Sequence, residues 1–596
     1  MNNDLCPLQE LFAGDELPIE FILSYLHKRN SPGIQAFLVN KLYNTTIQDI
    51  SFCFPQLLAM AWQREDYGAY SRFFIDIAKK NYVLGVKMYW TIQAEMQKRA
   101  SNKKIESISH DLEKVIVQGH NPLFSQEIPC DIKDFNTIKA EYFTEQFKLA
   151  HTMVKISILL IRETLDKDTT LKAYITHLDT WLKDTRFWYS RKNSEYVKQL
   201  FRGIVLPLDL NETIDQIVRI PSEEAKCFKT KARVPYKIIL ETVSMTEKDP
   251  ISLDDQVIEN PPNDYLDNLS VDSDSIIDKE SVRFEGIEEY VNRNFEDDKG
   301  VFNPVIDIEN IANDPWGERW KETKIRIKQT SPFGFYNTWN AKAYIIKGHD
   351  DLRQELLAMQ IIKKSKEILD QGNVGVYLRP YEIMIVSDNS GIIECVPDAV
   401  SLHTIKKHNN ALPQFFINYW GSKFEEAQKN FVESMAGYSL MCYILNLKDR
   451  HNGNILLDSD GHIIHIDFGF FLTNSPGKLN MESAPFKLTR EMIELMGGYG
   501  GEMFNYFKIL FYQGFLILRK YAGELTLLIE MMLPGDNLPC FYDPNRAVKD
   551  FKARFCLDLS DEQCLRCVED LIKVAAENWR TQQYDMFQWI TNDILY

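Results

Sequence analysis

An all-α, solenoid-like N-terminal domain followed by a bilobal α+β domain, with a β-rich smaller lobe and a helical larger one, is the architecture this sequence predicts. Three observations predict it. Short amphipathic runs of helical period follow one another through the first hundred residues. After Leu206 the pattern shifts to alternation rich in β-branched residues, as in "VPYKIILETVSM". Helical spacing then returns at "FVESMAGYSLMCYILNL" and persists to the C-terminus. With 596 residues, 45% of them apolar, the chain is long enough for roughly two to four domains, each with its own core.

Residues 1–125 make the first helical domain. Ser31 and Pro32 open the segment "GIQAFLVNKLY", because a serine oxygen accepts a backbone N–H there and proline suits a first turn. "FPQLLAMAW", "YSRFFIDIAKK" and "VLGVKMYWTIQAEMQKR" follow, each too short to bury its apolar face alone, so the helices must stack. Residues 126–205 continue as a helical connector, with Leu171, Tyr174, Ile175, Leu178, Trp181 and Leu182 at helical spacing; such a stripe is core packing first. The smaller lobe and its hinge occupy 206–400, with strands expected in "VPYKIILETVSM", "IRIKQTSPFGFY" and "AKAYIIKG" and an insert at 246–314. Residues 401–596 form the helical lobe.

The net charge is −17, yet the insert alone holds 20 Asp and Glu against 5 Lys and Arg. Its acidity and lack of periodicity read as disorder, a solvated linker in which Ser270, Ser273 and Ser275 stand in acidic context for phosphorylation. The rest of the chain is nearly neutral, and no nucleic-acid partner is expected. Cys564 and Cys567 are the one close cysteine pair and lack the second pair that a zinc site needs, so reduced cysteines of a cytosolic protein are expected. The most apolar run, "ISILLI", is far shorter than the about 20 residues of a membrane span, so any membrane contact is expected to be peripheral.

Chemistry concentrates in "LKDRHNGNILLDSDGHIIHIDFGFF", residues 447–471. Asp458 to Gly461 read as a tight turn, so "ILL" and "HIIHI" should pair as a hairpin whose open end brings Asn454 and Asp467 together. An amide oxygen beside a carboxylate suits Mg²⁺, a hard cation that takes oxygen ligands. Asp449 precedes Asn454 by five positions and Asp467-Phe468-Gly469 follows, which is the spacing of base, metal-binding Asn and Asp-Phe-Gly in protein kinases. The order "DRH" nevertheless reverses the protein-kinase "HRD", and no G-x-G-x-x-G precedes Lys347.

"KDRHNGNILLD", "GHIIHIDFGF", "SPFGF" and "KGHDDLRQELLAMQ" resemble the phosphatidylinositol 3- and 4-kinase superfamily. Further similarity in "PFKLT", "ELMGG", "MFNYFK" and "YDMFQWITNDIL" points to its type III beta class of phosphatidylinositol 4-kinases. The resemblance is strong from about residue 314, covers a catalytic domain to about 585, and is absent from the insert. It implies a bilobal kinase fold behind an accessory helical domain. By the same resemblance, Lys347 contacts ATP phosphate, Ser331 and Gly334 lie in a phosphate-covering loop, and the backbone of Glu394 to Val396 meets adenine. Glu355 takes the acidic helix position behind the nucleotide, and Asn454 and Asp467 hold Mg²⁺ or Mn²⁺. The base is Asp449 by spacing or His451 by its near-neutral free pKa, with Arg450 between them and His451 slightly favoured. His462 and His465 are expected to hydrogen-bond within the hairpin.

The reaction this implies is transfer of the ATP γ-phosphoryl group to the 4-hydroxyl of phosphatidylinositol. A protein kinase of the superfamily and an inactive scaffold are the alternatives. After Phe468 and Gly469 the activation loop carries Lys478 and Lys487 as its only basic residues, too few for a polyphosphorylated headgroup, so unphosphorylated phosphatidylinositol is the expected substrate. The resemblance also implies a cytoplasmic enzyme held peripherally on Golgi or trans-Golgi membranes, with a small GTPase of the Rab or Arf type and a calcium-sensor protein as partners. Phe587, Ile590 and Ile594 share a helical face with Trp589 beside them, which suits either membrane docking or packing on the large lobe.

Overall fold

The computed structural model describes residues 17–118, 135–164, 166–191, 204–207, 214–228, 233–245, 247, 314–408, 411–476, 484–533, 538–592 and 594–595. The body of the acidic insert, its three serines and Lys478 therefore lie outside the described residues. Eight helices come first: α1 Ile19–Lys28, α2 Pro32–Lys41, α3 Ile47–Gln63, α4 Ala69–Lys80, α5 Tyr82–Lys98, α6 Lys103–Gln118, α7 Phe135–Arg162 and α8 Lys167–Arg191. Pro32 stands at the first position of α2, and α3 is capped by the Thr46 hydroxyl, which accepts the Asp49 N–H at 3.1 Å. The helices stack on their neighbours in sequence, α4 on α5 and α6, α5 on α6, and α6 on α7.

Six strands make the small-lobe sheet: β1 Asp215–Arg219, β2 Lys226–Cys227, β3 Tyr236–Ser244, β4 Asn340–Lys347, β5 Ile383–Ser387 and β6 Ser390–Glu394. The order is β1-β3-β4-β6-β5, antiparallel throughout, with β2 also on β3. Strand alternation puts the two faces of β3 in different cores. Tyr236, Ile238 and Leu240 join Tyr344 and Ile346 of β4 and Leu149, Met153 and Ile156 of α7 in one cluster that continues through the N-terminal helices. The Tyr236 hydroxyl donates to Met153 O at 2.5 Å, and the Ser157 hydroxyl donates to Val234 O at 2.8 Å. The smaller lobe and the N-terminal helices thus share a core.

Ile239 and Val243 face the other way, toward Ile327, Tyr336 and Trp339. Ile327 belongs to a helix, α9 Trp320–Thr330, where the alternation of "IRIKQTSPFGFY" had predicted a strand. Helical spacing wins because Thr323 and Ile327, one turn apart, are buried while Ile325 is 50% exposed. The Glu322 carboxylate also accepts the Arg319 N–H at 3.3 Å and closes the helix start. Residues 331–338 after α9 are turns.

The segment entering α9 is pinned at several points. Trp316 lies among Phe415, Tyr419 and Trp420, and its indole N–H donates to Leu457 O at 2.9 Å. The Trp320 N–H donates to the Asp398 carboxylate at 2.7 Å. Asp314 accepts from Arg319 at 3.1 Å, and on the far side of the insert Glu247 accepts the Thr338 N–H at 3.0 Å.

The larger lobe is built on α13 Phe424–Leu445, buried continuously from Ser434 to Leu445, after α10 Arg353–Gln371, α11 Leu402–His408 and α12 Leu412–Trp420. A three-stranded sheet, β7 Ala399–Ser401, β8 Ile455–Asp458 and β9 Ile463–His465, lies against it. The β8–β9 hairpin is the one the sequence predicts. Its turn needs glycine at Gly461, where φ is +97° and an added Cβ would stand 2.7 Å from Ala427 O. Helices α14 Arg490–Leu495, α15 Glu502–Lys520, α16 Ala522–Glu530, α17 Pro544–Ala553, α18 Asp561–Ala576 and α19 Trp579–Asn592 complete the lobe. No helix among the described residues is long and apolar enough to cross a membrane.

Candidate active site

Lys347, the last residue of β4, places its ammonium 3.5 Å from Glu355 on α10 and 3.7 Å from Asp350. Burial acts to lower the lysine pKa, but Glu355, Asp467 and Asp350 outweigh it and hold the pKa above the ordinary lysine value. Burial raises the Glu355 pKa, against Lys347, and the Tyr381 hydroxyl fixes its other oxygen at 2.5 Å. The strand lysine and helix glutamate therefore meet as they do in protein kinases.

Across from them the β8–β9 hairpin opens onto Asn454 and Asp467. The Ile466 N–H donates to Asn454 O at 3.1 Å, which joins the two arms, and Asp467 sits at φ +59° with the Gly469 N–H on its Oδ1 at 3.3 Å. Burial acts to raise the Asp467 pKa, but Lys347, Arg450, the Gly469 N–H and His451 prevail and keep it below the usual carboxylate range. The Asn454 amide nitrogen donates to Asp449 O at 3.0 Å, which makes the amide oxygen its ligand atom. An ionised carboxylate and an amide oxygen on one hairpin mouth fit a hard divalent cation completed by water and phosphate oxygens. No group of three His, Cys, Asp or Glu suited to a metal occurs among the described residues.

Arg450, grouped with the catalytic residues by sequence, has a different task. It is 4% exposed, and its guanidinium donates to the carbonyls of Lys448 at 2.9 Å, Ile466 at 2.8 Å and Asp467, with Phe468 stacked 5.5 Å away. It fixes the backbone that carries Asp467. Gln354 helps by donating to the Phe468 carbonyl at 3.3 Å and to the Gly469 carbonyl.

His451 accepts the Gly453 N–H on Nδ1 at 3.1 Å, so the proton of the neutral ring belongs on Nε2, which lies 3.9 Å from Asp449 Oδ2. Burial lowers its pKa; Asp449 opposes this, Arg450 and Lys487 reinforce it. Asp449, at φ +63°, is held by residues that the sequence reading did not single out. The Tyr584 hydroxyl of α19 donates to its Oδ1, the Gln588 amide donates to the same oxygen at 3.4 Å and to Tyr584 at 2.7 Å, and Asp585 between them binds Lys487 at 2.6 Å. The available signal was the helical spacing of Tyr584 and Gln588 inside the quoted "YDMFQ".

The C-terminal helix therefore packs a polar face on the large lobe. Ile594, read as part of a membrane face, is half-buried beside Gly453, while Trp589 is 45% exposed. The side chains of Phe587 and Ile590 are outside what the structure describes. Ser331 is also engaged: its hydroxyl donates to the fully buried Glu241, which accepts Trp339 Nε1 at 2.9 Å and Arg219 at 2.7 Å as well. Gly334 passes so close to Lys328 that an added Cβ would sit 1.9 Å from its carbonyl oxygen. At the hinge, the Glu394 carboxylate takes Arg379 at 2.6 Å and the Cys395 N–H goes to Ala343 O at 3.0 Å. Val396 makes no backbone–backbone hydrogen bond among the described residues. His462 bonds Asp458 at 3.0 Å within the hairpin, but His465 stacks on Tyr438 and meets Cys442 Sγ at 3.6 Å.

Comparison with known proteins agrees with this geometry. Residues 341–416 and 406–542 match the family model "Phosphatidylinositol 3- and 4-kinase", and residues 21–93 match "PI4KB/PIK1, accessory (PIK) domain". Phosphatidylinositol 4-kinase beta of Sorex araneus is 30% identical over 683 residues, which cover 99% of this chain and 84% of that protein. A phosphatidylinositol 4-kinase of Dictyostelium discoideum is 45% identical over 303 residues, covering 49% of this chain and 25% of that protein. Phosphatidylinositol 4-kinase beta 1 of Arabidopsis thaliana is 47% identical over 289 residues, covering 47% and 26%. The chain thus spans about a quarter of the length of these last two relatives. An accessory helical region, a paired strand lysine and helix glutamate, and a hairpin carrying Asn454 and Asp467 accompany a match along nearly the whole chain: it belongs to the phosphatidylinositol 3- and 4-kinase family, with the phosphatidylinositol 4-kinases beta.

Proposed function

We propose that this chain transfers the γ-phosphoryl group of ATP to the 4-hydroxyl of phosphatidylinositol. The observation that carries the reading is the convergence of Lys347, Glu355 and Asp467: a charged lysine and an ionised aspartate, each maintained by the other's field. That arrangement is made to be completed by phosphates and a cation. Asn454 and Asp467 would hold Mg²⁺ or Mn²⁺, which supplies charge neutralisation on the transferring phosphoryl group. Lys347 orients phosphate oxygens, and the Val396 backbone is the adenine contact. The loop around Ser331 and Gly334, braced by Glu241, covers the phosphates with its backbone.

Asp449 is the group that receives the hydroxyl proton in this proposal, a revision of the slight preference for His451. A ring that accepts a hydrogen bond on Nδ1 carries its proton on Nε2 and serves as a donor there, toward the acceptor hydroxyl or the developing charge. With Lys487 committed to Asp585, the described part of the activation loop offers no cluster of cations, which supports an unphosphorylated headgroup as substrate. Peripheral work at Golgi-type membranes, with a Rab- or Arf-type GTPase and a calcium-sensor protein as recruiters, completes the proposal.

The test is a radiolabelled ATP assay on phosphatidylinositol vesicles with the wild type, Asp467→Asn, Asp449→Asn and His451→Gln. Asp467→Asn should lose at least about 100-fold in kcat, the order expected when a charge-stabilising group is removed, with the fold intact by circular dichroism. A 3-phosphate product, or faster reaction with a bisphosphorylated inositol lipid, refutes the substrate assignment. Equal loss in His451→Gln and Asp449→Asn refutes the choice of base.

A further inference from the structure

The first turn of α10 carries Arg353, Gln354 and Glu355 in succession, 7%, 4% and 5% exposed. Successive helical residues point about 100° apart, so three neighbours can face three different bodies. Glu355 faces Lys347 and Tyr381. Gln354 faces the Phe468 and Gly469 carbonyls and accepts the Cys540 N–H at 2.9 Å. Arg353 faces the accessory helices. Its Nη1 lies 3.2 Å from each oxygen of Glu95 on α5, and its Nε and Nη2 fork onto Asp351 at 2.9 and 2.7 Å. Arg99, just past the end of α5, adds its Nε to Glu95 at 2.6 Å. Glu95 itself is only 6% exposed.

Two guanidinium groups and two carboxylates form a network here, buried at the Arg353, Arg99 and Glu95 side chains and partly open at Asp351. Removing one partner of the buried Arg353–Glu95 pair leaves a charge without its counterpart in a medium that solvates it poorly. Its placement matters more than its strength. Elsewhere along α10 the same two bodies touch through Gln360, which donates to Phe52 O and pairs with Gln56, and through Lys364, which pairs with Glu20. Those contacts lie two and three turns farther on and hold the body of the helix. Among the described residues, Arg353 is the one in the turn presenting Glu355 and Gln354 that forms an ion pair with the accessory helices.

We propose that Glu95 and Arg353 are positioning residues for phosphoryl transfer: the accessory helices set the rotation of the first turn of α10. Through it they set the Lys347–Glu355 pair and the Asp467–Gly469 segment. This inference rests on the kinase reading above. Displacement by about 1 Å of groups that orient phosphates is enough to cost on the order of 100-fold in rate, so a remote ion pair has leverage on chemistry without touching substrate.

The experiment uses the full chain and compares Glu95→Gln and Arg353→Lys with Lys364→Met, a control in the same interface. kcat and KM are measured on phosphatidylinositol vesicles, affinity is measured with a fluorescent ATP analogue, and Tm is recorded for each variant. Glu95→Gln should lower kcat about tenfold or more with KM for lipid unchanged, Arg353→Lys should retain part of the activity, and Lys364→Met should keep kcat within about twofold at a similar fall in Tm. A double mutant with Glu355→Gln separates positioning from general weakening, because a residue acting through Glu355 adds nothing once Glu355 is gone. Multiplicative losses in that double mutant, or equal kcat losses in Glu95→Gln and Lys364→Met, overturn the inference. If the wild type proves inactive on lipid, the kinase reading fails separately, and the same non-additivity must then appear in affinity for the analogue. Additive effects there, or no nucleotide binding at all, overturn the inference.

Discussion

At the scale of single residues, the buried histidines make the protein's acid sensitivity predictable. His465 stacks on Tyr438 at 4.8 Å and 7°, and burial, with Arg450 and Lys487 adding to it, pushes its pKa well below 6.5. His451 is lowered too, chiefly by burial. As the pH falls through 6.5, the unfolded chain takes up protons at both rings and the folded chain does not. Stability is therefore full above that pH and declines below it, by about 1.4 kcal/mol per ring for each pH unit over which the folded ring stays neutral. Tm should fall between about pH 7.5 and pH 5.5, and His465→Gln should fall less over that interval. An unchanged difference in that variant would show that His465 is not the ring responsible. Asn454, Asp467 and Asp449 were legible because their spacing around a hairpin is itself chemistry. Arg450 was not, since three carbonyls from different parts of the loop satisfy it and its neighbours in sequence say nothing of them. The tautomer of His451 was equally invisible, because a backbone N–H sets it.

At the scale of elements, one helix departed from its sequence reading and another met partners that reading did not name. For α9 the local pattern was ambiguous, since "IRIK" alternates as a strand does, and burial at helical spacing decided the matter. For α19 the pattern was helical and correctly read, but its partners lie 135 and 139 residues away on Asp449, a separation that periodicity cannot bridge. This docking yields a signed prediction. The Tyr584 hydroxyl orients the Asp449 carboxylate, so Tyr584→Phe should lower kcat on phosphatidylinositol vesicles while KM for ATP stays unchanged. The loss should stay within about tenfold of wild type, as expected for losing one neutral donor. An unchanged kcat in that variant would remove this hydrogen bond from the positioning of Asp449.

At the scale of the whole molecule, the accessory helices and the small-lobe sheet are one folding unit, because Tyr236, Ile238, Leu240, Tyr344 and Ile346 are buried by chain from before residue 204. A fragment covering 204–596 should expose that face and emerge aggregated from size-exclusion chromatography, whereas the full chain elutes as a defined species. A soluble, monodisperse fragment would refute the shared core. The sequence predicted helices before a β-rich lobe but not this fusion, since each face of β3 carries apolar residues and only packing tells which neighbour each one meets. The anchoring of Glu247 and of Asp314 to Trp320 has an outcome of its own. Both ends of the acidic stretch are fastened by local hydrogen bonds, Glu247 to Thr338 at the end of the turns after α9, and the segment from Asp314 to Trp320 to Arg319, Leu457 and Asp398 beside the hinge. Closing a flexible loop of twice the length costs only about 0.6 kcal/mol more. A reporter domain grafted between residues 248 and 313 would enter between these two fasteners, and a fusion whose kcat matches that of the wild type is the expected outcome.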